Sequence, residues 1–344
     1  MGVTDIVAVT RADVARRAGV SPAVVSYVLN PGTRPVSAGA RARIEEAILE
    51  LGYRPNAIAQ ALRRSSTMSI GMMVPDLNNS SVASIVRTVE DIAYEHGYVV
   101  VVGTVGQDLA REKRYLRTFS DRQVDALIMI GAHAEHLPEL AAHRIPVIVI
   151  DSIPHGLGIS SVTSESVESS AAAIDHLVAE HGHARIACVT GVSTGAVHLE
   201  DREIGWRNAL VAAGLPPDDF LLRRTPDFSR DSGYAAALDL IDTVRPTAIF
   251  ATTDTLAAGI LAAIIDRGLS VPRDVAIVSW DGTDIAKNSM PALTSVDPDL
   301  DALAATLMKR VMAILNKTNN LETHDVMPGT LVVRESCGCS PRTD

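Results

Sequence analysis

The chain has 344 residues, 47% of them hydrophobic and 21% charged, with a formal net charge of −10. That length exceeds one compact core and predicts two or three lobes, while the composition excludes wholesale disorder. No apolar run approaches the roughly 20 residues of a membrane helix, and the opening MGVTDIVAVT lacks the basic flank and apolar core of a secretion signal, so a cytoplasmic protein is expected.

The charge is unevenly spread. Residues 1–66 hold nine Arg and no Lys against five acids, a net of +4, which leaves −14 for the remainder. A basic head on an acidic body suits local contact with a polyanion.

In chain order, Thr10 caps a helix over Arg11–Ala18, with Asp13 placed for a capping box and Gly19 as the stop. Ser21 and Pro22 are a good cap and first residue for a second helix, which runs to about Leu29 and ends at Asn30-Pro31-Gly32. The pair is a helix-turn-helix, whose second helix enters a major groove. A third helix begins near Ser37. Ile44, Ala47, Ile48 and Leu51 form its apolar stripe, and Gly52 ends it. Asn56 then caps a short segment through Arg64, followed by Ser65-Ser66-Thr67. Eight residues make a marginal helix, and by itself this one reads as an ordinary linker, although Leu62 could act as an apolar wedge.

Asp13-Val14-Ala15-Arg16-Arg17-Ala18-Gly19-Val20-Ser21, Val25-Ser26-Tyr27-Val28-Leu29-Asn30 and Leu51-Gly52-Tyr53-Arg54-Pro55-Asn56-Ala57-Ile58-Ala59-Gln60-Ala61-Leu62 together resemble the lactose-repressor (LacI/GalR) family. The resemblance implies a homodimer on a pseudo-palindromic DNA operator, with paired hinge helices in the minor groove and Leu62 prying open a central base step. The positions matching the family's base readers are Pro22, Ala23 and Tyr27. Two of these can only pack on a thymine methyl, so Arg34 and the Leu62 kink are expected to add selectivity. Ser21, Ser26, Asn30, Arg54, Asn56 and Ala59 complete the expected DNA-binding set, largely as positioning contacts.

From Met68 onward, apolar runs at Ile70–Pro75, Val99–Gly103, Ala126–Gly131, Val147–Asp151, Ile186–Thr190, Ala248–Ala251 and Val275–Trp280 alternate with amphipathic stretches such as Ala83–Tyr94, Glu168–Glu180 and Leu256–Asp266. Continuous apolar strands separated by helices predict an α/β body of two doubly wound parallel sheets, with a ligand between the lobes at the carboxyl ends of strands. The resemblance extends here through Val74-Pro75-Asp76, Val124-Asp125-Ala126-Leu127-Ile128, Arg202-Glu203-Ile204-Gly205-Trp206, Trp280-Asp281-Gly282 and Leu331-Val332-Val333-Arg334-Glu335-Ser336. It implies a periplasmic-binding-protein-like sensor.

The expected organisation is a head over 1–55, a hinge helix and linker over 56–67, and a core over 68–340. The N-lobe takes about 68–163 and 296–325, the C-lobe about 165–294 and 327–340, with crossings near 162–165, 294–297 and 324–328. Carried over by resemblance, Asp76, Ser81, Val82, Asp151, Arg202, Phe228, Asp254 and Asp281 are expected to contact ligand, although Asp254 or Asp281 could instead cap a helix.

An Arg among carboxylates suits a polyhydroxylated molecule, and a sugar or sugar derivative is the expected effector. Only 3% of residues are aromatic, which leaves Phe228 and Trp280 as stacking candidates. Ala196 and His198 stand where a purine-binding relative would place charged or hydroxyl groups, which argues against a purine. No leucine heptads follow Cys337, so a dimer is expected rather than a tetramer.

No enzyme, cofactor or metal site is expected. There is no G-x-S-x-G elbow, phosphate loop or H-E-x-x-H. His133, His136 and His143 read as solvated surface. Cys188 reads as core, and Cys337 and Cys339 as reduced thiols in a tail with no histidine-rich partner nearby. The competing assignments are a solute-binding protein of the same core fold, or a regulator responsive to a nucleoside or other metabolite.

Overall fold

The structure is a computed structural model that describes residues 9–29, 34–54, 61, 64, 66–106, 108–192, 197–318 and 321–340. The chain forms two compact units, 1–67 and 68–344. The expected contacts Asn30, Asn56, Ala59 and Leu62 lie outside the described residues.

The first unit contains α1 (Arg11–Ala18), α2 (Pro22–Leu29) and α3 (Ala38–Leu51). The Thr10 backbone N–H and hydroxyl both donate to the Asp13 carboxylate, at 2.9 and 2.6 Å, and hold that carboxyl below its ordinary range. Gly19 adopts φ 66°, the left-handed conformation that lets the chain reverse into the turn. Val14, Ala15, Ala18, Val25, Val28, Ile44 and Ala47 form a closed core, with Ile48 and Leu51 half-buried at its edge. Arg43 Nε donates to Ala18 O at 3.1 Å and ties α3 to the end of α1.

The second unit is built on two six-stranded sheets. One holds β1 (Ser69–Val74), β2 (Val99–Thr104), β3 (Ala126–Ile130), β4 (Val147–Ile150), β5 (Ser160–Ser164) and β11 (His324–Met327), in the order β11-β5-β4-β3-β1-β2. Helices α4 (Ser80–Glu95), α5 (Leu109–Asp121), α6 (Leu137–Ala141) and α12 (Leu300–Leu315) belong to this N-lobe. The other sheet holds β6 (Ile186–Gly191), β7 (Leu222–Thr225), β8 (Ala248–Ala251), β9 (Ala276–Trp280), β10 (Thr294–Asp297) and β12 (Thr330–Val332), in the order β12-β10-β9-β8-β6-β7. Its helices are α7 (Val167–Ala179), α8 (Val197–Ala212), α9 (Arg230–Thr243), α10 (Asp254–Asp266) and α11 (Asp284–Asn288).

Every pairing is parallel except β10 with β12. Strands β3, β4, β6, β8 and β9 are buried at every residue, which is why their sequences are predominantly apolar rather than alternating, with only Thr190 and Ser279 as polar side chains.

The chain passes between the sheets three times, after β5, after β10 and after β11. The second passage follows Asp297, because Thr294–Val296 pair in register with Val278–Trp280 of the C-lobe. The tail also differs from expectation. Cys337 is 1% exposed within the C-lobe core, and the fold brings His176 and His181 to its side.

Helices α9 and α10 meet backbone to backbone. A Cβ on Gly259 would lie 1.9 Å from Arg230 O, and one on Gly233 would lie 2.3 Å from Leu256 O. Gly259→Ala is therefore expected to force the helices apart and cost about 3 kcal/mol, seen as a lower urea midpoint; an unchanged midpoint would show that the contact yields freely.

Candidate ligand cleft and nucleic-acid-binding head

In a doubly wound sheet the crevice opens where neighbouring strands feed connections to opposite faces. The strand orders place that point between β1 and β3 in one lobe and between β6 and β8 in the other. A cavity of about 980 Å³ lies between the lobes, lined by the segments after β1, β3, β7, β8 and β9.

From the N-lobe, Asp76, Ser81 and Val82 line the cavity. Asp76 Oδ1 accepts from the Asn78 backbone N–H and side-chain amide, at 2.9 and 3.0 Å. Asn79 caps α4, its Oδ1 accepting from Ser81 N–H and O–H at 3.0 and 2.8 Å. These turns hold polar side chains at a helix N-terminus facing the cleft. The C-lobe contributes Arg202, Phe228 and Asp281. Phe228 lies against Gly191, where an added Cβ would stand 2.7 Å from the ring.

Arg202 and Asp281 are 5% and 2% exposed. Arg202 donates to Thr252 O at 2.5 Å and approaches Asp281 Oδ1 at 3.3 Å, with its guanidinium 3.6 Å from the centre of the Trp280 ring. Asp281 sits at φ 123°, a strained conformation for a side-chain-bearing residue and one often stored at functional sites. Burial pushes its carboxyl up to about 7, against the opposing pull of the Arg202 charge. Three buried polar atoms on cavity-lining residues, Arg202 Nε, Asp281 Oδ2 and Thr255 Oγ1, have no hydrogen-bond partner among the described residues. Each such atom costs about 1–3 kcal/mol unless something satisfies it.

Three expectations are corrected. Asp254 is a structural hub. Its Oδ1 accepts from Ser279 and Ser295 hydroxyls at 2.6 and 2.8 Å, and its Oδ2 from Thr283 N–H and O–H at 2.7 and 2.8 Å. Asp151 is 1% exposed, with Oδ1 accepting from Ser152 N–H at 2.7 Å, and does not line the cavity. Trp280 is 1% exposed beneath Arg202, so it offers no stacking face, and Phe228 is the aromatic that lines the cavity.

The cleft also holds residues that sequence reasoning missed. Glu112 and His133 line it, and His136 lies behind them. Glu112 and His136 are each 3% exposed, not solvated. Glu112 Oε2 meets His133 Nδ1 at 2.6 Å, and Oε1 bonds His136 Nδ1. His143 in turn contacts Ser120 Oγ at 2.7 Å. The available signal was Glu112 itself, a charge on the buried stripe of α5 beside Leu116 and Phe119.

In the head, Ser21, Pro22 and Ala23 are exposed at the start of α2, while Ser26 and Tyr27 are half-buried. Pro22, Ala23, Ser26 and Tyr27 line one shallow concavity with Thr10, Arg11 and Ala12. Arg34 lies 5.8 Å over the Tyr27 ring, and Arg54 is exposed after α3. A groove-sized helix carrying Arg at its rim has the form and charge of a DNA reader.

A helix-turn-helix head joined to a two-lobed polar cleft defines a ligand-binding transcription regulator. Residues 10–56 match the family described as bacterial regulatory proteins, lacI family, and residues 174–337 match the periplasmic binding protein-like domain. Catabolite control protein A of Priestia megaterium is 34% identical over 95% of this chain and 99% of its own. A crystal structure of the lac repressor dimer bound to operator and the anti-inducer ONPF superposes with a TM-score of 0.85 at 27% identity, covering 96% and 99%. The transcriptional regulator CelR–cellobiose complex gives 0.71 at 28%, covering 95% and 99%. The chain belongs to the lacI family of bacterial regulatory proteins.

Because folding raises the Asp281 carboxyl from 3.8 to about 7, the folded chain holds this proton where the unfolded chain has released it. The resulting stability is complete below about pH 4 and is lost as pH rises to about 7. The slope it contributes is up to about 1.4 kcal/mol per pH unit. Asp281→Asn should flatten that part of the stability profile in urea titrations at stepped pH; an unaltered slope would place the titration elsewhere.

Proposed function

We propose that the chain is a repressor that binds a pseudo-palindromic operator as a homodimer and is switched by a sugar or sugar derivative in the inter-lobe cleft. The observation that carries the ligand assignment is the polar lining of the cleft, in which Arg202, Asp281 and Thr255 each also keep a buried atom without a partner among the described residues (Nε, Oδ2 and Oγ1) just behind the cavity wall. One donor, one acceptor and one hydroxyl on neighbouring walls match a molecule with several hydroxyls, each of which gives and accepts. Asp76, Asp227 and Asp231 add carboxylates, Arg111 and Arg230 add donors, and a single aromatic offers little stacking for a base. Cellobiose, bound by the similar CelR, has this chemistry.

Coupling to DNA follows from the cleft lying between two lobes. The Ser80 hydroxyl of α4 reaches the Thr283 hydroxyl of the C-lobe at 3.3 Å, so the two walls already touch at one edge. A ligand that prefers one spacing of the lobes must, by linkage, change operator affinity by the same factor that the operator changes its own. The hinge segment is the natural receiver, since a marginal helix is easily ordered or lost.

A thermal-shift screen against sugars, sugar phosphates, polyols and nucleosides tests the reading, because a ligand selective for the folded state raises the melting temperature. A nucleoside hit with silent sugars would overturn it. Thr255→Val removes an unpaired hydroxyl at nearly constant shape, so stability should hold or rise while affinity for the hit falls about tenfold. Leu62→Ala should weaken operator binding on the order of tenfold by removing the wedge, with the ligand-induced thermal shift unchanged; full operator affinity in this variant would remove the wedge from the mechanism.

A further inference from the structure

At the far side of the C-lobe from the cleft walls, the short turn Glu335–Cys337 meets the end of α7. His176 is on the final turn of that helix, His181 follows two residues beyond it, and Cys337 and Cys339 belong to the tail after β12. The candidate donor atoms of all four lie within 4.8 Å of one another. Cys337 Sγ is 3.4 Å from His176 Nε2, and Cys339 Sγ is 3.7 Å from His176 Nε2 and 3.4 Å from His181 Nε2.

Those separations fit a shared metal ion. Zinc held at about 2.3 Å by sulfur and about 2.0–2.1 Å by imidazole nitrogen, across a tetrahedral angle, sets sulfur and nitrogen about 3.5 Å apart. The three sulfur–nitrogen distances bracket that value. A thiol hydrogen bond would need only one partner per sulfur, whereas Cys339 faces two ring nitrogens at once. We propose that His176, His181, Cys337 and Cys339 form a Cys2His2 site for a zinc ion that staples the carboxyl-terminal tail to the C-lobe.

The surroundings fit a structural site. Cys337 is buried and the other three ligands are half-buried, leaving no wide approach for substrate. Gly338 takes φ 109°, turning the two cysteines toward the same point, and a Cβ there would stand 3.1 Å from His181 Nδ1. A closed set of two thiolates and two neutral imidazoles neutralises the dication, and no disulfide joins the three cysteines. Burial and the neighbouring His181 lower the His176 pKa, which favours the unprotonated ring that a metal requires. By contrast, the Glu112–His133–His136 cluster has its carboxylate oxygens in direct contact with the ring nitrogens, too close to admit an ion between them.

Metal analysis of the full chain, purified without a histidine tag and dialysed exhaustively, should find about one zinc per chain. Cobalt(II) loading should give a thiolate-to-cobalt charge-transfer band with visible bands of tetrahedral intensity. A strong chelator should lower the melting temperature of the wild type and leave Cys337→Ser/Cys339→Ser unaffected. His181→Asn retains three ligands; it should fold and shift the cobalt spectrum, and it decides the matter if the double variant does not fold.

Three results would overturn the proposal: dialysed protein without metal and without a sulfur–cobalt band, intact mass showing a Cys337–Cys339 disulfide as the loss of two hydrogens, or undiminished metal in the double variant. The last would show that the metal is held without the two sulfurs. Because this site shares no residue with the cleft, its failure leaves the regulatory reading untouched.

Discussion

The cleft depends on one buried ion pair. Arg202 reaches from α8 across the ends of β8 and β9, resting on the Trp280 ring, bonding Thr252 O and facing Asp281. Removing either partner would leave a charge in a low-dielectric wall, a change that costs about 3–5 kcal/mol in comparable sites. Replacing both by apolar groups would cost far less, so stability alone does not explain the pair. The pair is also incomplete: one nitrogen of the cation and one oxygen of the anion are buried without a hydrogen-bond partner among the described residues.

Asp254 shows the contrast. It too is a buried carboxylate at a strand end, and burial raises its pKa as well. Yet four donors from Ser279, Thr283 and Ser295 consume both oxygens, so it welds β8, β9 and β10 together. Two acids of the same type, in the same lobe, thus divide the work. One completes the scaffold, and the other presents an unfinished hydrogen-bond set on it. The distinction rests on partner geometry and not on burial or residue type.

The head and the core rest on different physics. The head is a small all-helical core of short aliphatic residues, where capping at Thr10 and Gly19 supplies much of the local definition. In the core unit, parallel strands buried on both faces fix the lobes, and the polar residues gather at strand ends where neighbouring connections diverge. Two rigid sheets joined by three crossings allow their spacing to respond to what lies between them. That is the requirement for a ligand to bias the molecule at a distance.

The sequence by itself determined the elements whose signals are local. Caps, helix stops and apolar periodicity located α1 to α3, and continuous hydrophobic runs located the central strands, because those strands are apolar on both faces. Resemblance then pointed to Asp76, Ser81, Val82, Arg202, Phe228 and Asp281, which the fold gathers around one cavity. The outer strands β7, β11 and β12, and β5 and β10 among the inner ones, carry Ser, Thr, Arg or His in runs of three to five residues, too short and polar to declare themselves without their pairing partners.

Only the tertiary structure decided which buried acids are satisfied, that Trp280 is covered by Arg202, and that Glu112 shares its carboxylate with His133 and His136. It alone brought Cys337 and Cys339 to histidines more than 150 positions away in the chain. Hydrogen-bond completion and metal geometry are properties of atoms within a few ångströms, and such neighbours leave no periodic trace along the chain.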